Sequence, residues 1–205
     1  MNTYAPVGLT GGIASGKSTV AELLRSWGCF LADADAISRR ALDPGTVCFE
    51  QTVSAFGRDV LRPDGTVDRK KVARIVFSDE QALAMLNGII HPYVRQRMRI
   101  ESEAAFEREP GRLIVWDVPL LFESGYDADV AKTIVVTARQ ELRVRRIRER
   151  DGFTRAEALR RIRAQMPDRE KVRRADFVIP NNGTREELET RTREVFNELM
   201  ETMDR

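Results

Sequence analysis

The chain has 205 residues, 42% of them hydrophobic and 32% charged, with a formal net charge of +2 at pH 7. That length suits one domain, or one core with an inserted lobe, and the composition is that of a globular rather than a disordered chain. The longest apolar runs, such as "LIVW" at 113–116, are far too short to cross a bilayer, and the N-terminal segment has no basic stretch followed by a signal-like apolar core. A soluble cytoplasmic protein without membrane contact is expected.

In chain order, "VGLT" is short, β-branched and apolar, and reads as a buried strand ending in glycines. "KSTVAELLRSWG" follows, with Val20, Leu23, Leu24 and Trp27 at helical spacing and Gly28 as the stop. "CFLADAD" is a second strand, "AISRRAL" a short helix, and "DPG" at 43–45 a turn. Residues 46–110 then read as a helical insertion of about 60 residues. "FEQTVSAFG" and "RKKVARIVF" are helices separated by the turn "RPDGTVDR". The run from Glu80 reads as two helices divided at His91-Pro92, because proline lacks the backbone donor a helix interior needs. Strands resume with "RLIVWDVP" and "AKTIVVT", then a helix over 138–152, a second over 153–166 with Leu159, Ile162 and Met166 on one face, and the strand "ADFVIPN". A C-terminal helix opens at Thr184 with Glu187 three residues on, the spacing of a capping box. Strands alternating with helices predict an α/β fold, a parallel sheet with helices on both faces.

Residues 11–18, Gly11-Gly12-Ile13-Ala14-Ser15-Gly16-Lys17-Ser18, fit G-x-x-x-x-G-K-[ST] between a strand and a helix. Glycines let backbone N–H groups approach a triphosphate, and the helix N-terminus adds partial positive charge. Lys17 supplies a point charge for the β- and γ-phosphates, the Ser18 hydroxyl a magnesium ligand, and Thr19 a further phosphate contact. Asp117 closes the apolar strand "LIVWD", the position of a second magnesium ligand, or of a simple strand-end cap. Asp33 and Asp35 lie at the carboxyl end of the second strand, where open α/β sheets bind ligands. Asp33 is placed either to accept a hydroxyl proton or to cap the following helix.

Residues 139–174 hold 14 Lys/Arg against 6 Asp/Glu. That asymmetry fits an anionic ligand or a solvated arginine face on a helix pair. Arg146 and Arg150 share a helix face, and the charged stretch 151–168 reads as a mobile lid closing over phosphates to exclude water. Nucleic-acid binding would call for interleaved aromatics, and only Phe153 stands there. The N-K-x-D and D-x-x-G patterns of guanine-nucleotide switches occur nowhere. His91, the single histidine, sits at a helix break and reads as a pocket wall rather than a base. Cys29 and Cys48 stand in no metal-ligand spacing and read as buried free thiols.

The motifs "GLTGGIASGKST", "DADAISR", "DGTVDR", "LNGIIHP", "DVPLLFE", "RDGFT", "RIRAQM" and "ADFVIPNNG", in that order, resemble the dephospho-CoA kinase family along essentially the whole chain. The family pattern commonly has Gly where Ala14 stands, a mild departure. The resemblance implies ATP-dependent phosphorylation of the ribose 3′-hydroxyl of dephospho-CoA, with Mg2+ expected from Ser18 and Asp117. It implies a P-loop core of residues 1–45 and 111–205, arranged as three layers αβα with a small lid, and an acceptor-binding helical domain of residues 46–110. Carried onto this sequence, it makes Asp33 the base or orienting group and Arg146 and Arg150 contacts to ATP or the transferred phosphoryl. It makes Gly11, Gly12, Ile13, Ala14, Ser15, Gly16, Lys17, Ser18 and Thr19 the ATP cradle, with Asn181 and Gly183 near the adenine. His91, Pro92, Leu120, Phe122 and Glu123 resemble the acceptor groove, together with Asp33 and Asp35. Another nucleoside or nucleotide kinase on the same core is the alternative. No nucleic-acid partner is expected, and a monomer is favoured.

Overall fold

Val7–Gly11 (β1), Phe30–Asp33 (β2), Ile114–Asp117 (β3), Lys132–Thr137 (β4) and Phe177–Pro180 (β5) form one five-stranded sheet in the order β2-β3-β1-β4-β5. The computed structural model describes residues 4–203. β1 pairs in parallel with both β3 and β4, Leu9 opposite Asp117 on one side and Ile134 on the other, and β4 pairs in parallel with β5. β1 is buried along its whole length, as a central parallel strand covered on both faces must be, and its one polar side chain, Thr10, is hydrogen-bonded.

Nine α-helices lie among the described residues: Lys17–Ser26 (α1), Ala34–Ala41 (α2), Val47–Phe56 (α3), Arg69–Ser78 (α4), Glu80–Arg108 (α5), Gln140–Asp151 (α6), Arg155–Arg163 (α7), Asp168–Arg174 (α8) and Arg185–Met203 (α9). Two compact units divide the chain, one of residues up to Ala32 and from Ser102 onward, the other of Asp33–Glu101.

In the sheet-containing unit, α1 and α9 bury Val20, Leu24, Leu188 and Leu199 against Val7, Leu9, Val115, Ile134 and Val136. Side chains alternate along β3, so Trp116 points away from Val115. Its indole N–H donates to Ser102 Oγ at 3.0 Å, and its ring meets that of Tyr126 edge-on at 6.4 Å between centroids. Cys29 is buried in the α1–α9 cluster, and burial pushes its thiol up to about 12, which leaves it inert. The expected helix over 153–166 is shorter. Thr154 and Glu157 make a reciprocal capping box that starts α7, and the chain leaves the helix at Ala164, so Met166 lies beyond it. α8 is a further helix inside what read as lid and connector.

In the other unit, α3, α4 and the first half of α5 surround Cys48, Val60, Val72, Val76 and Ala82. The turn before α4 is pinned by a backbone bridge between Leu61 and Val67, and Asp68 caps α4 by accepting from the N–H groups of Lys70 and Lys71. α5 corrects the expected break at His91-Pro92. It is one helix of 29 residues with Pro92 inside. The residue four before Pro92 is Gly88, whose missing side chain gives the local carbonyl room to tilt from the proline ring. The helical unit therefore runs from Asp33, taking in α2, whereas the expected insertion ran over 46–110.

Candidate functional site

The turn from β1 into α1 has an unusual backbone. Gly16, the residue before α1, has φ +99° and ψ +18°, a left-handed conformation that a glycine adopts at low cost. Ala14 is the one non-glycine among the described residues at positive φ, +59°. Such residues persist only where the surroundings over-determine them. Here the surroundings are hydrogen-bond donors aimed at carbonyls. Ser15 N–H donates to Gly12 O at 3.0 Å. Arg146 Nη1 donates to Ala14 O at 3.2 Å and to Ser15 O at 3.3 Å. Asn181 Nδ2 donates to Ser15 O at 2.7 Å, and Arg146 Nη2 reaches Asn181 O at 3.3 Å.

Asn181 is thus a buried brace, placed where the chain leaves β5, and a Cβ on Gly16 would collide with its amide nitrogen. A Cβ on Gly11 would lie 2.6 Å from both Ser15 Oγ and Val136 O. The glycines make room for protein groups behind the loop as well as for whatever approaches its front. Burial, and then the charge of Arg145, lowers the proton affinity of the Arg146 guanidinium.

Lys17, in the first turn of α1, forms an ion pair with the carboxylate of Asp117 at the end of β3. Ser18 is exposed beside it, and Thr19 is half-buried. Lys17, Ser18, Asp117, Arg146 and Asn181 are therefore gathered at the carboxyl edge of the sheet around the loop of residues 11–16. Arg150 is not on that loop. Its guanidinium forks onto both carboxylate oxygens of Asp151 at 2.8 Å, which holds the arginine above and the aspartate below their ordinary pKa values. Gly183 is exposed just after Asn182, whose Oδ1 accepts from Arg139 N–H at 2.8 Å.

The segment after β3 is anchored by Thr10, which donates to Pro119 O at 3.0 Å. Leu120 is 42% exposed, while Phe122 is buried under the Arg174 guanidinium, 4.6 Å from ring centroid to cation. Glu123 Oε1 accepts from Met166 N–H at 3.1 Å and lies 2.8 Å from Lys171 Nζ. Lys171 is fully buried and escaped the reading of the sequence, because nothing in "DREKVRR" separates it from its solvated neighbours.

The remaining expected residues lie in the helical unit. Asp33 caps α2, its Oδ1 accepting from Ala36 N–H at 2.9 Å, so the capping alternative holds for one carboxylate oxygen. Asp35 is exposed in the first turn of the same helix. His91 is half-buried on α5 beside the exposed Pro92, and burial, followed by the Arg95 charge, lowers its pKa.

A model of the dephospho-CoA kinase family matches residues 5–187. The chain is 49% identical over 181 residues to a dephospho-CoA kinase of Geobacillus kaustophilus, covering 88% of this chain and 90% of that one. It is 43% identical to one of Shouchella clausii, covering 96% and 98%. Among solved structures, dephospho-CoA kinase from Campylobacter jejuni superposes with a TM-score of 0.72 at 30% identity, over 96% of this chain and 98% of that one.

Proposed function

The chain belongs to the dephospho-CoA kinase family, and from that premise we propose which of its residues carry the reaction. The reaction transfers a phosphoryl group to the ribose 3′-hydroxyl of dephospho-CoA, the final step of coenzyme A synthesis. The observation that carries the assignment of roles is the bracing of the loop. With the carbonyls of Ala14 and Ser15 held by Arg146 and Asn181, the amide N–H groups entering α1 are left for the phosphates of ATP.

Lys17 exchanges the Asp117 carboxylate for β- and γ-phosphate oxygens. The 3′-oxygen attacks the γ-phosphorus as its proton passes to Asp33. The bond from the γ-phosphorus to the β–γ bridging oxygen breaks, and ADP leaves. One Asp33 oxygen caps α2, and that contact fixes the carboxylate's direction while the other oxygen receives the proton or orients the hydroxyl. Arg146, through guanidinium N–H groups that its hold on the loop carbonyls leaves unused, and Arg150 once it leaves Asp151, meet the charge spread over the transferred group. The hydroxyl of Ser18 and the carboxylate of Asp117 are hard oxygen donors that would hold Mg2+, which would supply positive charge to the phosphates of ATP.

Gly11, Gly12, Ile13 and Thr19 complete the cradle, and Asn181 and Gly183 border the adenine. The helical unit, with Asp35, His91 and Pro92, takes the acceptor, as do Leu120, Phe122 and Glu123 after β3. We read the protein as a cytoplasmic monomer without nucleic-acid or membrane partners, and no helix among the described residues is long and apolar enough to span a membrane.

The test is ADP release from ATP and magnesium, with and without dephospho-CoA, with the product identified by mass. Acceptor-dependent release with one phosphate added is expected. Lys17→Ala should lose the rate with any acceptor, whereas Asp33→Asn should keep ATP binding and lose most of kcat. Near-normal kcat in Asp33→Asn would reduce that residue to a helix cap.

A further inference from the structure

Two successive peptide planes of the phosphate loop, those on either side of Ile13, are held by side chains to which no role in the reaction has been given. The N–H of Ile13 donates to Gln165 Oε1 at 2.7 Å. The C=O of Ile13 accepts from Arg143 Nε at 2.8 Å. Arg143 is buried, its side chain 4% exposed, and its Nη1 donates to both carboxylate oxygens of Asp168, at 2.9 and 2.8 Å. Its guanidinium lies against Gly12, where a Cβ would collide with it.

The charge of Arg143 is therefore balanced by Asp168, its Nε is spent on the loop, and its plane is packed on the loop's glycine. A buried arginine so completely engaged has a fixed orientation, which a lysine could not reproduce. Gln165 comes from the short connection between α7 and α8 and Asp168 is the first residue of α8, both more than 150 residues along the chain from Ile13.

The consequence lies in the next residue. Ala14 is left-handed, and the plane that Arg143 grips is the one leading into it. If that plane turns, Ala14 can relax to a right-handed conformation, and the amides beyond it lose their common direction. Arg146 and Asn181 hold the far side of Ala14. Arg143, Gln165 and Asp168 hold the near side.

We propose that Arg143, Gln165 and Asp168 are positioning residues for ATP. They form a clamp through which the α7–α8 connection sets the curvature of the phosphate loop, without touching the nucleotide's reacting atoms. The proposal rests on the reading of residues 11–19 as the triphosphate cradle. It predicts a selective defect. A loop that is no longer preorganised binds ATP less well, while the acceptor's own contacts are unaffected.

The experiment compares Gln165→Ala, Asp168→Ala, Asp168→Glu and the Gln165→Ala/Asp168→Ala double variant, with Lys17→Ala as a reference. It reads KM for ATP and for dephospho-CoA, kcat, equilibrium binding of a fluorescent ATP analogue, and thermal midpoint. Gln165→Ala should raise KM for ATP about fivefold, the worth of one net hydrogen bond. Asp168→Ala should raise it about tenfold or more, because it unpairs a buried guanidinium. KM for dephospho-CoA should stay within about twofold. Asp168→Glu should recover much of the loss, and the double variant should fall short of additivity, since both residues act on Ile13. Folded variants with unchanged ATP affinity overturn the clamp. So do equal losses toward both substrates, or a fall in thermal midpoint without a change in ATP binding. If Lys17→Ala itself binds the ATP analogue normally, the cradle reading has failed instead.

Discussion

The buried pair between Lys171 and Glu123 should respond very differently to loss of its two partners. Lys171 has no exposed side-chain surface, while 22% of the Glu123 side chain is exposed, and their charged atoms are 2.8 Å apart. The approach lies off the hydrogen-bonding direction, so the contact is chiefly Coulombic. Glu123→Gln keeps shape but leaves an ammonium inside the protein facing a neutral amide. Removing one partner of a buried pair costs about 3–5 kcal/mol, and partial solvation of Glu123 places this one near the lower figure. For a chain of this length, about 2–4 °C of thermal midpoint accompanies each kcal/mol, so a fall of about 6–12 °C is expected. Lys171→Met replaces a buried cation by an apolar chain of similar length. Glu123 then still accepts from Met166 N–H and meets water, so a loss under about 1 kcal/mol, or about 4 °C, is expected. Thermal unfolding followed by circular dichroism at pH 7, without nucleotide, reads both variants. Equal shifts, or a larger loss in Lys171→Met, would refute the reasoning, because burial of the unpaired charge would then not be the dominant cost.

Two further predictions concern the sheet-containing unit. Burial raises the Asp176 carboxyl, but hydrogen bonds from Lys132 and Thr133 outweigh it and hold the group below its ordinary value of 3.8. Its contribution to stability is therefore complete above pH 3.8 and is lost as pH falls through the lower folded value, so urea midpoints measured from pH 7 to 3 should fall less steeply in Asp176→Asn than in the parent. Ser102→Ala strands the buried indole N–H of Trp116 and should cost about 1–3 kcal/mol by urea titration, and an unchanged midpoint would show that the donor finds another acceptor.

The strands, their parallel arrangement and the phosphate loop were legible because each has a local signature. β-branched apolar runs end in glycine or acid, and one fixed spacing stands between strand and helix. Asp117 was legible for the same reason, as the acid that closes "LIVW". The unbroken α5 was not, since Pro92 ordinarily ends a helix and only the context supplied by Gly88 and the surrounding core allows continuation. The contact between Asn181 and Ser15 spans 166 positions and leaves no trace in local pattern. Lys171 and Arg143 were illegible for a related reason. In a segment dense with arginine, burial of one cation is decided by a distant carboxylate, Glu123 or Asp168, and charge alone does not reveal which one.

The far-reaching contact between Asn181 and Ser15 also bears on synthesis. The β1–α1 turn leaves the ribosome early, but the amide that supports its Ser15 carbonyl is translated 166 residues later. Arg146 arrives 132 positions after Ala14. A nascent chain carrying the whole motif still lacks the side chains that shape it. On the proposed reading of residues 11–19, competence to hold nucleotide should therefore appear late and abruptly during elongation, once β5 docks, rather than as soon as the motif is made.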